Sequence, residues 1–442
     1  MKFSGRDKEI QSLQTIRERS KQNAQMTVVT GRRRVGKTRL IKESLSEEKF
    51  LYFFLSRKDE PLLCDDFKQQ IEQTLGLELF GSYSRFSDLF AWLCDYAKRE
   101  HLNVVIDEFQ EFFRINPSVF SEMQNLWDSS KDVMKMNLIL SGSIQSLMRK
   151  IFDNYREPLF GRATAKMKIK PFGVGFLKEL MRENYPNYEP IDLLTFYVVT
   201  GGVAKYVEYF VDNKQLAQED FFNVFLDDIS FFQDEGKALL IEEFGKDYRT
   251  YFSILALIAA GKTSRSAITS VIQRDVGGQL KRLEEDYSII KARRPIFSKP
   301  ASRNIKFFID DNFLNFWFRF IFKYKAALEL ANYDTVLEIM RRDFPTYAGP
   351  FLEKFIRKSL AESKEFTAIG NYWERGNQNE IDIVAYNELS KKALICEVKM
   401  NKKNISLDVL RSKAIAIGRN LGGYDIDYRG YSLADITNDE LI

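Results

Sequence analysis

Residues 26–40, MTVVTGRRRVGKTRL, leave a chain that contains them little choice of fold. Met26 to Val29 are apolar or β-branched and read as a short buried strand. Gly31 to Thr38 then fit GxxxxGK[ST], and the segment from Thr38 to Ser44 reads as a helix. A loop of this kind wraps backbone N–H groups around phosphates, so Gly31 and Gly36 stand where a side chain would obstruct the approach or the required φ. Lys37 is placed to reach the β- and γ-phosphates, and Thr38 to offer its hydroxyl to Mg²⁺. The helix dipole points its positive end at the same place. Arg32, Arg33, Arg34, Val35 and Arg39 belong to the same cradle, the arginines bracing either phosphates or an interdomain contact. The pattern predicts an α/β core that binds ATP with Mg²⁺.

The stretch LNVVIDEFQ (102–110) supplies the other half of such a site. A buried strand ending in Asp107-Glu108 puts one carboxylate where it holds Mg²⁺ and the next where it orients or deprotonates the attacking water. The segments 49–55 and 136–140 read as further strands, the latter ending in Ser141-Gly142-Ser143. Gly161-Arg162 precedes a strand-like alternation from Ala165 to Ile169. Arg162 is either a transition-state arginine, acting within the chain or on a neighbouring subunit, or a structural ion-pair residue.

Composition narrows the remaining chemistry. With His101 the only histidine and three scattered cysteines in 442 residues, zinc clusters, disulfide frameworks and Ser/His/Asp catalysis are nearly excluded. Carboxylates and lysines are left, best served by a hard divalent metal. Lys2, Arg6, Asp7, Lys8 and Glu9 interrupt any apolar opening segment, and no apolar run approaches the ~20 residues of a membrane span. A cytoplasmic protein without a membrane partner is expected.

Downstream, residues 247–310 carry twelve Lys and Arg against six Asp and Glu, a net of +6 in a chain whose total is +4. Three short helices (251–260, 264–273, 277–286) and two strands (288–292, 305–309) follow the order of a winged helix-turn-helix. Lys281 and Arg282 on the third helix, and Lys291, Arg293, Arg294, Lys299 and Arg303 on the wing, give the charge footprint of DNA binding. Winged helices also serve as protein–protein modules, and Glu284, Glu285 and Asp286 would repel phosphates. The aromatic run 312–324, NFLNFWFRFIFKY, reads as core or interdomain packing.

The last hundred residues hold a second constellation. Glu353 falls on a helix (347–359), Asp382 on a strand (380–386), and Glu397 and Lys399 on the next strand (393–399). Alternation puts Glu397 and Lys399 on one face, so two neighbouring strands can gather Asp382, Glu397 and Lys399 around one point. Carboxylates that hold Mg²⁺ beside a lysine that stabilises charge are what phosphodiester hydrolysis needs. Trp373, Arg375, Lys402 and Lys403 stand nearby, as substrate contacts or solvated residues.

Together GRRRVGKT, VVIDEF, SGS, PLFGRATA and TGGVAKY resemble the archaeal and bacterial ATPases of the STAND class, which are AAA+-like. The resemblance implies that Gly5-Arg6, before an acidic residue and a helix, lies beside adenine, and that Ser143 touches the γ-phosphate or the attacking water. In that family the last motif usually reads Gly-Gly-x-Pro, and here Ala204 stands at the proline position. The tail resembles the PD-(D/E)xK nuclease superfamily commonly fused to such ATPases. In that order Glu353 is the helical acid, Asp382 a metal ligand, and Glu397-Val398-Lys399 the paired motif with Glu397 as second ligand. The implied architecture is a P-loop core (1–175), a helical lid (176–245), a winged helix (246–325) and an α/β restriction-endonuclease-like domain (326–442). The expected role is an ATP-controlled, DNA-directed switch, acting alone, as a homo-oligomer or with a partner protein; the alternative is a regulatory scaffold that cuts nothing.

Overall fold

A computed structural model describes residues 3–56, 58–244, 248–299, 302, 304–374, 376 and 379–438. Arg303 and Arg375 lie outside the described residues. The chain forms two compact units, 2–170 and 171–442.

The first unit is a five-stranded parallel sheet flanked by helices. Its strands are β1 (Gln25–Thr30), β2 (Leu51–Phe54), β3 (Leu102–Asp107), β4 (Met136–Gly142) and β5 (Ala165–Lys168), in the order β2-β3-β4-β1-β5. Both faces are covered, which is why β3 and β4 are buried along their whole length and read as unbroken apolar runs. One face packs on Phe53, Phe67, Phe86, Phe90, Phe109 and Trp127. The other packs on Leu13, Val29, Leu40, Ile41, Val105 and Ile139. Parallel strands bring their C-terminal ends to one edge, and there the loop after β1, the Asp107-Glu108 pair after β3 and Ser143 after β4 meet.

Among its described residues the second unit has a large apolar core whose members run from Phe172 to Ile436, and a smaller one built of Ile381, Val384, Ala393, Ile395, Leu410 and Ile417. Helix Pro190–Thr200 is buried on every side and ends at Gly201 and Gly202, both with positive φ. Helices Tyr248–Ala259, Arg265–Ile272 and Gly277–Glu285 precede an antiparallel pair, β6 (Ile290–Arg293) and β7 (Lys306–Ile309), the element order expected of a winged helix. The aromatic run is core: helix Asn312–Phe316 passes into a π-helical stretch, Trp317–Ile321. Trp317 donates its indole N–H to Gln233 O at 2.7 Å and lies so close to Gly236 that a Cβ there would sit 2.3 Å from the ring.

A 31-residue helix, Tyr333–Ser363, runs on past Pro345 and Pro350 into the last sheet. That sheet has β8 (Ala368–Tyr372), β9 (Ile381–Asn387), β10 (Lys392–Lys399) and β11 (Asp425–Ser432) in the order β11-β10-β9-β8. β8, β9 and β10 form an antiparallel meander, and after helix Leu407–Ala414 β11 returns parallel to β10.

The loop that joins β6 to β7 docks on edge strand β8. Ile296 N donates to Asn371 O at 2.7 Å, Phe297 stacks on Tyr386 with centroids 5.4 Å apart, and Trp373 Nε1 donates to Asn304 Oδ1 at 3.0 Å. Lys306 pairs with Glu380 at 3.2 Å. An open sheet edge is a row of unpaired backbone groups, and the wing covers this one.

Candidate functional site

At the C-terminal edge of the first sheet, Gly36 takes φ 94° as the residue before helix Lys37–Ser44. A Cβ on Gly31 would stand 2.7 Å from Ile169 O, so the loop closes against the end of β5 only because residue 31 has none. Arg34 also has positive φ, 68°. The buried Lys37 ammonium donates to the carbonyls of Gly31 at 2.9 Å and Arg32 at 3.3 Å, so it lies within the loop's own ring of backbone groups.

Asp107 is buried, and its Oδ2 accepts from Thr38 Oγ1 at 2.7 Å and Tyr52 OH at 2.6 Å, while Oδ1 accepts from Glu108 N at 3.0 Å. Glu108 sits at φ 56°, an unusual conformation for a residue with a side chain. The turn directs its carboxylate away from Asp107, to accept from Ser143 Oγ at 2.6 Å and Gln110 Nε2 at 2.5 Å. The two acids therefore have separate surroundings. Thr38 and Asp107 present hard oxygens side by side and fit Mg²⁺, which would neutralise phosphate charge there. Glu108 is held apart from that pair by Ser143 and Gln110. Burial, followed by the neighbouring Asp107 carboxylate, pushes the Tyr52 phenol far above its ordinary pKa, so it remains a donor.

Tyr52 and Gln110 were missed by sequence reasoning. A tyrosine within the apolar run KFLYFFL was the available signal for the first; Gln110, two residues past the acid, carried none. Gly5 has positive φ, 71°, and the Arg6 guanidinium is buried, donating to Lys170 O at 2.7 Å and Val35 O at 3.5 Å. The opening segment is thus pinned beside the phosphate loop. Arg39 lies over the Phe3 ring, 5.5 Å from its centroid, and Arg33 is exposed while Arg32 is half-buried.

Arg162 requires a correction. It precedes β5 at the N-terminal edge of the sheet, and a strand the length of β1, roughly 20 Å, separates it from the phosphate loop. It pairs with Asp128 at 3.0 Å in an open polar cleft of about 530 Å³ beside Asn23, Gln25 and Lys131. A transition-state role within its own chain is excluded by distance.

In the second unit β9 and β10 bring together what alternation predicted. Asp382 Oδ2 accepts from Val398 N at 2.8 Å and lies 3.2 Å from Lys399 Nζ, which is 3.5 Å from Glu397 Oε1. Glu397 is buried; its Oε2 accepts from Ser406 N at 3.0 Å, and Lys413 stands 3.9 Å from Oε1. Burial works against the charge on Lys399, yet Asp382, Glu397 and Glu353 together outweigh it and the pKa is raised. Glu353 faces this group from the long helix. Burial and then the charge of Asp382 lift its carboxyl well above the ordinary carboxylate range. Among the described residues no group of three or more His, Cys, Asp or Glu is arranged to hold a metal ion, and Lys399 bridges Asp382 and Glu397.

The wing differs from expectation. Lys281, Arg282, Lys291, Arg294 and Lys299 are exposed, with Lys281 3.7 Å from Glu285. Arg293 instead turns inward over the Phe308 ring at 4.4 Å. The Glu284 carboxylate accepts from Ala292 N at 3.0 Å and braces the hairpin.

Sheet order, phosphate loop and the Asp107-Glu108 pair together define a P-loop ATPase. Residues 3–210 match the model of an ATPase domain found predominantly in Archaea, and residues 317–412 match a family described as archaeal and bacterial proteins of unknown function. An uncharacterized protein of Methanocaldococcus jannaschii is 29% identical over 408 residues, 90% of this chain and 87% of its own. A second uncharacterized protein of that organism is 32% identical over 80 residues, 18% of this chain and 78% of its own. The fold is similar to that of the Walker-type ATPase PABY2304 of Pyrococcus abyssi, with a TM-score of 0.54, 19% identity, and coverage of 72% of this chain and 96% of that one. No helix among the described residues is long and apolar enough to cross a membrane.

Proposed function

We propose that this ATPase is a switch whose nucleotide state controls a DNA-directed, nuclease-like site in the second unit. The observation that carries the reading is the convergence of Asp382, Glu397 and Lys399 on one face of β9 and β10, with Glu353 opposite. Two carboxylates and a lysine at one point suit a phosphodiester. Asp382 and Glu397 would hold Mg²⁺, which would polarise the scissile phosphate, while Lys399 balances charge that develops there. In the first unit Lys37 binds phosphates, Thr38 and Asp107 hold Mg²⁺, and Glu108 with Ser143 orients water. Arg162 acts, if on nucleotide at all, on that of a neighbouring copy.

A second reading has its own observation. Lys399 already lies at ion-pair distance from both acids, which suits a tail that binds nucleic acid or a partner without cutting. Full-length protein with Mg²⁺ or Mn²⁺ on plasmid and single-stranded DNA separates the two. The nuclease reading expects nicking or cutting that disappears in Asp382→Ala and Lys399→Ala. Cleavage unchanged by both substitutions would refute the assigned site, and no cleavage by the wild type leaves the binding-only tail.

A further inference from the structure

Tyr197, on helix Pro190–Thr200, is fully buried, and its phenolic oxygen has no hydrogen-bond partner among the described residues. Beside it stand two guanidinia. Arg357 lies one helical turn beyond Glu353, and Arg293 is the last residue of β6. Neither has a carboxylate at ion-pair distance among the described residues. Arg357 Nη1 donates to Asn371 Oδ1 at 2.6 Å, and Arg293 has the Phe308 ring. Each remains partly accessible to solvent. The two are close enough for their charges to repel, and the Tyr197 oxygen is close enough to act on both. Lys358 adds a further cation over the Tyr197 ring at 5.2 Å.

Burial followed by the Arg357 charge brings the Arg293 pKa down to about 10, and burial lowers that of Arg357. Two acids, Glu353 and Asp310, act on both guanidinia, and Asp310 also answers to Lys354, Lys291 and Lys358. Arg293, Arg357, Lys291, Lys354 and Lys358 outnumber those two acids, so the cluster keeps an excess of donors and positive charge. Such an arrangement is costly unless an anion completes it, and planar guanidinium forks match phosphate oxygens in particular. It also connects to the carboxylate site, because Asn371, which receives Arg357, donates its own Nδ2 to Asp382 O at 2.5 Å.

We propose that Arg293, Arg357 and Tyr197 form a phosphate-binding site that holds a backbone phosphate of nucleic acid beside Asp382, Glu397 and Lys399. The proposal rests on the reading above for its substrate class. It gives the winged segment a different part from the expected one, since the inward strand β6 supplies the contact while the wing tip closes the sheet edge.

The test is fluorescence anisotropy of labelled single-stranded and duplex DNA with the full chain in EDTA, for wild type, Arg293→Gln, Arg357→Gln, Arg357→Lys, Tyr197→Phe and Asp382→Ala. Each arginine-to-glutamine change is expected to weaken binding about tenfold and to lower the slope of log Kd against log salt by about 1. Tyr197→Phe is expected to weaken it about threefold, and Arg357→Lys to keep part of the affinity. Thermal melts accompany each variant; should Arg357→Gln fail to fold, Arg293→Gln and Arg357→Lys decide. Folded arginine variants with wild-type affinity and salt slope overturn the site. Stabilisation by inorganic phosphate that needs Arg293, without any DNA affinity, overturns the nucleic-acid assignment. DNA that binds through both arginines but is never cut with Mg²⁺ or Mn²⁺ keeps the phosphate site and removes the nuclease reading. Cleavage that needs Asp382 but is indifferent to both arginines does the reverse.

Discussion

Replacing Tyr52 with Phe tests the wiring of the nucleotide site through a residue outside the phosphate motif. Its hydroxyl is one of two side-chain donors to Asp107 Oδ2, at 2.6 Å against 2.7 Å for Thr38. Asp107 is only 3% exposed, so water has little access to replace the lost donor. A hydrogen bond to a charged group contributes about 1.5–3 kcal/mol, and the ring itself is kept, so no cavity forms. Taking about 2 kcal/mol, a unit of this size should melt about 4–8 °C lower. Because the raised phenol pKa keeps Tyr52 protonated when folded, its contribution is fully present below the ordinary tyrosine range and is lost only as pH rises through the folded value. The decrement should therefore be constant across neutral pH. Differential scanning fluorimetry of both proteins from about pH 6 to 9 makes the comparison, with near-neutral pH well below the tyrosine range. Equal melting points would mean that Asp107 is held without Tyr52 and that the reasoning is wrong.

Other expectations follow from single contacts. Glu108→Gln should bind ATP as the wild type does while turnover falls by about 10²–10⁴-fold, the usual worth of a positioned base; steady-state phosphate release reads this, and full activity removes Glu108 from the chemistry. Gly236→Ala would drive a methyl into the Trp317 ring, whose indole is fixed to Gln233. It should cost about 1–3 kcal/mol in urea denaturation, and a neutral result would show that the ring can move. Glu353 holds its proton more tightly when folded, so its contribution is present at acid pH and lost as pH rises out of the ordinary carboxylate range. Glu353→Gln should gain stability relative to wild type as pH goes from about 5 to 8. Parallel stability curves would contradict the assigned burial.

The parts legible in the sequence were those where one residue's role is set by its immediate neighbours. The phosphate loop is a local backbone device, and Asp107-Glu108 ends an unmistakably buried strand. Period-2 alternation was enough to place Asp382, Glu397 and Lys399 together, because β9 and β10 are joined by a short turn. What stayed hidden depends on tertiary direction. Arg162 was open between a transition-state arginine and an ion-pair residue, and the parallel sheet puts it at the opposite edge from its own chain's phosphate loop, paired with Asp128. Arg293 counted toward a DNA-facing wing, but charge counting cannot tell an outward side chain from one turned over Phe308. Arg357 was overlooked although its spacing of four from Glu353 puts the two on one helical face. Tyr197 gave no signal at all, since its meaning lies in partners that come from 96 and 160 residues downstream.

A nucleotide-controlled switch of this kind couples nucleotide state and nucleic-acid binding in one chain. Coupling is reciprocal, so ATP must change DNA affinity by the factor that DNA changes ATP affinity. The measurement is a pair of titrations on Glu108→Gln, the variant expected to hold ATP without consuming it: DNA affinity with and without Mg-ATP, and ATP affinity with and without DNA. Matching changes of at least about fivefold are expected, the lower end of ordinary allosteric coupling. Affinities that are each indifferent to the other ligand would contradict it.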